Sequence, residues 1–271
     1  MKTYSIEGFV LRLRPLGEAD RILTVFSRER GKFSAVAKGV RKVRSKFGSR
    51  LDFFNRSAMT LHVGRSLDVI TGVASVAEVW LRLVDPDAFF LVSYVAEVVD
   101  ALCEPDMAVP ELYAMLCELQ ATIGGGTQPQ SLMPAVDLRL LDALGLAPEL
   151  DACTLCATQL GNRPLAGGRV LLSAESGGLV CRRCSAAAAA DDADRMGRAG
   201  TMLRETDLQT LRALRTCEFA EAASAINAPA LSATTHPLIQ YQLGRRSRAM
   251  SALDASNLGA SAARRGAAQR Q

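Results

Sequence analysis

Four cysteines form the most specific chemical pattern in the sequence. Cys153 and Cys156 make one Cys-x-x-Cys pair, and Cys181 and Cys184 make a second pair after 24 intervening residues. Two such pairs allow four thiolates to converge tetrahedrally on one Zn²⁺, which leaves no open position for a substrate. The pattern therefore predicts a structural zinc site. Free thiols, a redox pair and an iron–sulfur cluster are the alternatives, but a single redox dithiol has no need of the second pair.

The second pattern is a basic loop at residues 38–50, KGVRKVRSKFGSR, which contains no acidic residue. Glycines near both ends indicate a loop, because glycine tolerates backbone angles that other residues avoid. The loop is either a solvated run of charge or a binding site for phosphates, since cations on nucleic acid release condensed counterions. Phe47 either stacks on a base or anchors the loop to a core. The predicted phosphate contacts are Lys38, Arg41, Lys42, Arg44 and Lys46.

The charge is distributed unevenly along the chain. Residues 1–80 carry a net charge of +8, residues 81–243 carry −9 and residues 244–271 carry +5. This distribution suggests that the basic residues 1–80 alone bind a polyanion, while the acidic residues 81–243 restrict where the polyanion can lie.

Composition and missing motifs exclude several classes of protein. The chain is 49% hydrophobic, as expected of a folded protein with two or three domains, and it has no membrane-length apolar run or secretory signal. The expected location is therefore the cytoplasm. No P-loop, GxSxG, HExxH or dinucleotide-binding motif is present, so positive evidence for an enzyme is absent. Glu18 and Asp20 are a possible Mg²⁺ site of a nuclease, although acids in a turn more often cap backbone amides.

The elements that must position the basic loop are short strands. Residues 5–14, 21–27, 33–37, 51–63 and 67–76 are β-rich and separated by turn residues, which predicts a small five-stranded barrel. An OB-fold is the leading interpretation, and an SH3-like barrel has a similar pattern. We thus assign residues 1–80 to an OB-fold domain, a fold whose sheet face and loops bind oligonucleotides.

The rest of the chain has helical periodicity. Asp85 and Pro86 predict the start of a helix, and further helices are predicted up to Gly145 and at residues 206–225. The predicted fold class is α+β, with a helical domain at residues 81–150 and 187–243 and an inserted four-cysteine zinc module at residues 151–186. Residues 244–271 are poor in apolar bulk and predict a disordered basic tail.

Several motifs, in this order, resemble the RecO family of bacterial recombination mediators. In the N-terminal part these are residues 8–11 (GFVL), 17–23 (GEADRIL), 26–27 (FS), 31–32 (GK) and 37–41 (AKGVR). In the middle they are residues 93–97 (SYVAE) and 138–146 (LRLLDALGL), and residues 177–181 (GGLVC) lead into the second cysteine pair. The resemblance covers residues 4–185 well and the remainder weakly.

The resemblance implies an N-terminal OB-fold, a helical domain and the zinc module that many members carry. It implies a non-enzymatic protein of recombinational DNA repair that binds single- and double-stranded DNA and anneals complementary strands. RecR, single-strand-binding protein and, indirectly, RecA are the implied partners, and the implied location is the nucleoid. The implied DNA contacts coincide with Lys38, Arg41 and Lys42 and, more loosely, with Arg44 and Lys46. A zinc-ribbon module that binds RNA or a protein is the alternative function.

Overall fold

The computed structural model describes residues 2–78, 85–125, 129–160, 165–191, 200–223 and 228–251. The chain divides into two compact units, one of Met1–Ala114 with Arg246–Gln271 and the other of Met115–Arg245. Within the described ranges, no helix is both long enough and apolar enough to cross a membrane. The predicted boundaries at residues 80, 150, 186 and 243 remain predictions. Most of the tail predicted at residues 244–271 lies outside the described residues.

The first unit begins with a closed five-stranded β-barrel. Its strands are β1 (Thr3–Leu16), β2 (Asp20–Ser27), β3 (Gly31–Ala37), β4 (Arg56–His62) and β5 (Asp68–Ala77), paired in the order β1-β2-β3-β5-β4. β4 pairs antiparallel with β1 and so closes the sheet, while β3 and β5 form the parallel pair. This five-stranded sheet confirms the OB-like fold expected from the sequence.

Alternation of side chains builds the barrel core. In β3, Phe33, Ala35 and Ala37 point inward and are buried, whereas the residues between them are partly exposed. This is the period-two pattern of a strand with one buried face. Phe47 and Leu51, from the connection between β3 and β4, complete the same core. The predicted fourth strand at residues 51–63 was too long, because Gly48–Leu51 is a 3-10 helix that carries Leu51 into the core.

Helix α1 (Pro86–Leu102) packs beside the barrel within the first unit. The side chain of Asp85 accepts a hydrogen bond from the backbone N–H of Asp87 at 3.0 Å, which confirms the predicted N-cap. At the other end of α1, Asp100 forms an ion pair with Arg12 of β1 at 3.2 Å. The backbone carbonyl of Asp100 also accepts a hydrogen bond from Lys32 of β3. These contacts fix the orientation of the helix on the barrel.

The second unit is mainly helical. All of helix α2 (Pro110–Gly124) except its first five residues belongs to this unit. Helix α3 (Pro129–Ala143) has buried residues on several of its faces. Around α3 pack α5 (Glu205–Thr216), α6 (Phe219–Ala222) and α7 (Ala228–Leu243). The single helix predicted at residues 206–225 is interrupted, because Cys217 and Glu218 adopt extended backbone angles between α5 and α6.

A small sheet precedes these last helices in the second unit. Its strands are β6 (Arg169–Ser173), β7 (Gly178–Val180) and β8 (Gly200–Arg204), with β6 in the centre. A run of alanines at residues 186–190 belongs to helix α4 (Arg182–Asp191). The second half of the interval between the two cysteine pairs, residues 169–180, is therefore a β6–β7 hairpin.

Candidate metal centre and nucleic-acid interface

Two short backbone segments bring the four cysteines together. Cys153 and Cys156 lie in a tight turn in which Ala157 has a positive φ of 56° and donates a hydrogen bond to the carbonyl of Cys153. Cys181 directly follows β7, and Cys184 lies in the first turn of α4. Thr154 bonds through its backbone N–H to the carbonyl of Leu179, which holds the first turn against the end of β7.

The four Sγ atoms all lie within 4.8 Å of one another, so these cysteines could hold a metal ion. Cys156 Sγ and Cys181 Sγ are 3.8 Å apart. A tetrahedral site with Zn–S bonds of about 2.3 Å places its sulfurs about 3.8 Å apart, so the separation fits such a site. The same separation is far too long for a disulfide bond of about 2.05 Å. Among the described residues this is the one cluster of possible metal ligands.

Electrostatics within the cluster favour a bound cation. The hydrogen bond between Cys156 Sγ and the Thr158 hydroxyl is the main cause that lowers the pKa of the Cys156 thiol to about 6. A hydrogen bond with Cys156 is in turn the main cause that raises the pKa of the Cys184 thiol to about 12. Four thiols held this closely cannot all ionise without added positive charge. A divalent metal supplies that charge, and the side chain of Arg183 also lies next to Cys156.

The five cations predicted to contact phosphates are all exposed on the basic loop. The loop follows β3 and continues through a series of turns to the 3-10 helix. In the part of the chain that the structure describes, the side chains of Lys38, Lys42 and Arg44 have no hydrogen-bond or ion-pair partner. They are therefore available to an anion from outside the protein.

The turn between β1 and β2, together with the first residue of β2, holds the first half of the basic loop. Asp20 Oδ1 accepts a hydrogen bond from the backbone N–H of Gly39 at 2.7 Å, and Gly39 has a φ of +68° that favours glycine. The backbone N–H of Arg41 bonds to the carbonyl of Ala19 at 3.0 Å. The guanidinium of Arg41 reaches the carbonyl of Gly17 at 3.1 Å. The loop is thus fixed at its first turn rather than free to move as a whole.

Contacts with β5 and the core hold the second half of the loop. Lys46 Nζ donates to the carbonyl of Thr71 at 2.9 Å, and Arg50 donates to the carbonyl of Val73 at 3.0 Å. The ring of Phe47 is only 1% exposed and packs in the barrel core. Phe47 is therefore an anchor of the loop. The alternative interpretation, that its ring stacks on a base, is wrong for this structure.

The hydrogen bond from Gly39 to Asp20 also bears on the possible Mg²⁺ site at Glu18 and Asp20. Asp20 is used as a cap for the backbone N–H of Gly39, which is the role that acids in turns usually have. Across the described ranges, no cluster of three possible metal ligands includes either acid. Sequence reasoning missed that Asp20 holds the basic loop, although its place in the first turn was a signal that it would cap some backbone amide.

Comparison with known proteins gives a consistent result over nearly the whole chain. Residues 1–78 match the family model for the N terminus of recombination protein O, and residues 83–251 match the model for its C terminus. A DNA repair protein RecO from Bifidobacterium adolescentis is 36% identical over 184 residues, which is 67% of this chain and 73% of the relative. The RecO of Desulfitobacterium hafniense (strain DCB-2) is 32% identical over 223 residues, covering 79% and 78%. The RecO of Cutibacterium acnes is 37% identical over 191 residues, covering 68% and 75%.

Proposed function

This chain belongs to the RecO family of DNA repair proteins, and from that premise we propose that it is a non-enzymatic DNA-binding recombination mediator. It binds single- and double-stranded DNA through phosphates and anneals complementary strands. The observation that carries the proposal is the basic loop, an exposed set of cations on an OB-like barrel whose backbone is fixed on both sides.

The chemistry of the loop suits contact with phosphates rather than with bases. Lysine and arginine side chains neutralise phosphates and release counterions whatever the base sequence. The loop contains no Asn or Gln, the side chains that pair bidentately with adenine edges. Its one aromatic ring, that of Phe47, is buried and supplies no stacking platform. Binding through this loop is therefore expected to be independent of sequence and sensitive to salt.

Annealing follows from such contacts. Two complementary strands repel each other through their phosphates, and a cationic surface that binds both lowers that repulsion. Since the loop leaves base edges free, the bases remain able to pair while the strands are held. The reaction needs neither nucleotide hydrolysis nor Mg²⁺.

The proposed metal is one structural Zn²⁺ per chain, held by Cys153, Cys156, Cys181 and Cys184. The support for zinc is the chemistry of the donor set, four sulfurs at the spacing of a tetrahedral thiolate site. Bound zinc would neutralise thiolate charge and join the turn at Cys153 to the start of α4. The zinc would take no direct part in binding or annealing DNA.

The proposed partners are RecR and single-strand-binding protein, with RecA loaded onto DNA as the outcome. This part of the proposal rests on family membership and not on a surface of this chain. Because the DNA it serves is chromosomal, we propose that the protein acts in the cytoplasm at the nucleoid.

The test is binding and annealing with labelled oligonucleotides. Fluorescence anisotropy measures binding of single and double strands of random and defined sequence across a salt series, and a fluorescence-quenching assay measures annealing in EDTA without nucleotide. We expect salt-dependent binding, equal for the different sequences, together with faster annealing. No annealing above the protein-free rate, or binding restricted to RNA, would overturn the proposal. Cleavage of the strands in Mg²⁺ would favour a nuclease instead.

A further inference from the structure

Two arginines near the cysteine cluster have no role in the function described so far. Arg169 is the first residue of β6, and Arg182 is the first residue of α4. Both residues are exposed, and among the residues that the structure describes neither guanidinium group has a hydrogen-bond or ion-pair partner. We call Arg169 and Arg182 the arginine pair.

Arg169 lies opposite another cation across the small sheet. The position paired with it in β8 is held by Arg204. An acid at that position would neutralise Arg169, whereas like charges directly opposite each other are unfavourable. The guanidinium group of Arg204 is bound by the carboxylate of Asp207, at 3.0 and 3.2 Å. Arg204 thus has its own counterion, and within the described ranges Arg169 has none.

The fold brings Arg182 to the start of β6. Its Nη1 atom lies 3.3 Å from the position that a Cβ atom would occupy on Gly167, two residues before Arg169. Leu171, which lies two residues after Arg169 and therefore on the same face of β6, belongs to the same core cluster as Cys153. The arginine pair therefore lies on elements that are held together beside the cysteine cluster.

Elsewhere in the second unit, arginines are neutralised by acids. Four of them form ion pairs: Arg139 with Glu118, Arg204 with Asp207, Arg212 with Asp151 and Arg215 with Asp142. Arg183, the neighbour of Arg182 in the chain, lies against Cys156 and so faces the cysteine cluster. The charge of the arginine pair, in contrast, is available to an anion from outside the protein.

The surroundings of the pair favour a phosphate over an acidic peptide. A peptide gains specificity by placing side chains in pockets. The cavity beside this sheet, about 410 Å³, is lined by Leu172, Thr201 and Tyr241 among others. Leu172 is three residues from Arg169 in β6, so it lies on the opposite face of the sheet. The arginine pair thus offers guanidinium groups without that cavity, and guanidinium groups bind phosphate oxygens bidentately.

We propose that Arg169 and Arg182 form a second phosphate-binding surface, through which the second unit contacts DNA independently of the basic loop. The proposal rests on the proposed function, because it requires that the protein binds DNA. Contacts to phosphates add affinity and salt dependence without reading the base sequence. Annealing brings two strands together, and a second surface allows one chain to hold both.

The first test removes the charge of the pair from the full-length protein. Arg169→Ala/Arg182→Ala is compared with the wild type for binding of a labelled single-stranded oligonucleotide across a salt series. Each lost phosphate contact shallows the slope of log K against log salt by about 0.7, so we expect a slope shallower by up to about 1.4. Arg169→Lys/Arg182→Lys keeps the charge and should keep the slope. Arg215→Ala, which removes an arginine paired with Asp142 in the same unit, should also keep it.

The second test asks whether the pair acts independently of the basic loop. The double-alanine change is added to the variant Lys38→Ala/Arg41→Ala/Lys42→Ala. Effects of separate sites add, so we expect the double-alanine change to shallow the slope as much in this background as in the wild type. If it has no effect once the loop cations are removed, the pair makes no contact of its own, and the proposal is overturned.

Folding and metal content are measured for every variant, because Arg182 directly follows the proposed zinc ligand Cys181. We expect the thermal midpoint and the zinc content of the wild type. Should the double variant lose its metal, the single variant Arg169→Ala replaces it, with an expected slope shallower by about 0.7. An unchanged slope in that single variant would then count against the surface.

Failure of this inference differs from failure of the proposed function. If the wild type shows no salt-dependent DNA binding, the proposed function fails and the inference falls with it. If substitutions in the basic loop shallow the slope while the double-alanine variant keeps the wild-type slope, only the inference fails. A labelled polyglutamate peptide that binds the wild type but not this variant would then identify an acidic polypeptide as the partner instead of DNA.

Discussion

Asp20 and Gly39, nineteen positions apart, are joined by a hydrogen bond of 2.7 Å from the Gly39 backbone N–H to the Asp20 carboxylate. The bond ties the start of β2 to the start of the basic loop. Because Gly39 stands between Lys38 and the other cations of the loop, the carboxylate fixes the geometry of residues that it does not touch. Asp20 is therefore a positioning residue, because it holds the backbone of the cationic loop in place.

Replacing Asp20 tests this role. Asp20→Ala removes the acceptor, so the first turn of the loop loses its anchor, and we expect weaker DNA binding and slower annealing. Asp20→Asn keeps one side-chain oxygen as an acceptor and is expected to retain most of both. The lost hydrogen bond costs about 1 kcal/mol of stability. Anisotropy and the thermal midpoint measure the two effects. If Asp20→Asn is as impaired as Asp20→Ala, the carboxylate acts through its charge and not as a cap.

The cations of the loop are tested by removing three together. Lys38→Ala/Arg41→Ala/Lys42→Ala is expected to shallow the slope of log K against log salt on single strands by up to roughly 2 and to abolish annealing. The thermal midpoint should change little, because the three side chains are exposed. Lys38→Arg/Lys42→Arg preserves charge and serves as the matched control. An unchanged slope in the alanine variant would mean that the loop is only a solvated run of charge.

Local signals in the sequence were sufficient for much of the fold. Alternation in residues 33–37, the cap at Asp85 and the spacing of the cysteines each depend on near neighbours, and the structure agrees with them. The closure of the barrel by β4 and β1 and the bond from Asp20 to Gly39 join distant residues, so no local pattern reveals them. The burial of Phe47 and the break at Cys217 likewise depend on packing.

Zinc is tested by elemental analysis and by substitution. Purified protein, prepared without chelator, is expected to contain about one zinc per chain. Cys153→Ser should lose the metal and lower the thermal midpoint, since binding to a closed structural site contributes to folding free energy. Cys117→Ser removes a thiol outside the cluster and should keep the metal. Less than a tenth of an equivalent of zinc in the wild type, or iron in its place, would contradict the assignment.

Glu118 provides a prediction about pH within the helical unit. Its carboxylate accepts two hydrogen bonds from Arg139, at 2.8 and 2.6 Å, and one from the backbone N–H of Phe219 at 2.7 Å. Partial burial pushes the pKa of Glu118 upward, but these donors outweigh it and hold the pKa below its ordinary value of 4.5. Protonation therefore weakens the folded state more than the unfolded one. The stabilisation is complete above pH 4.5 and is lost as the pH falls through the lowered pKa.

The variant Glu118→Gln should therefore be less stable than the wild type at pH 7, by about 1–2 kcal/mol, or about 3–6 °C in thermal midpoint. The difference should shrink as the pH falls below 4.5 and vanish once the wild-type carboxyl is protonated. Comparing the two proteins at each pH cancels other acid-sensitive groups, such as the cysteine cluster. Glu205→Gln, which removes an exposed carboxylate from the same unit, should show no such trend. A difference between Glu118→Gln and the wild type that stays constant from pH 7 to pH 3 would show that the carboxylate contributes through packing and not through its charge.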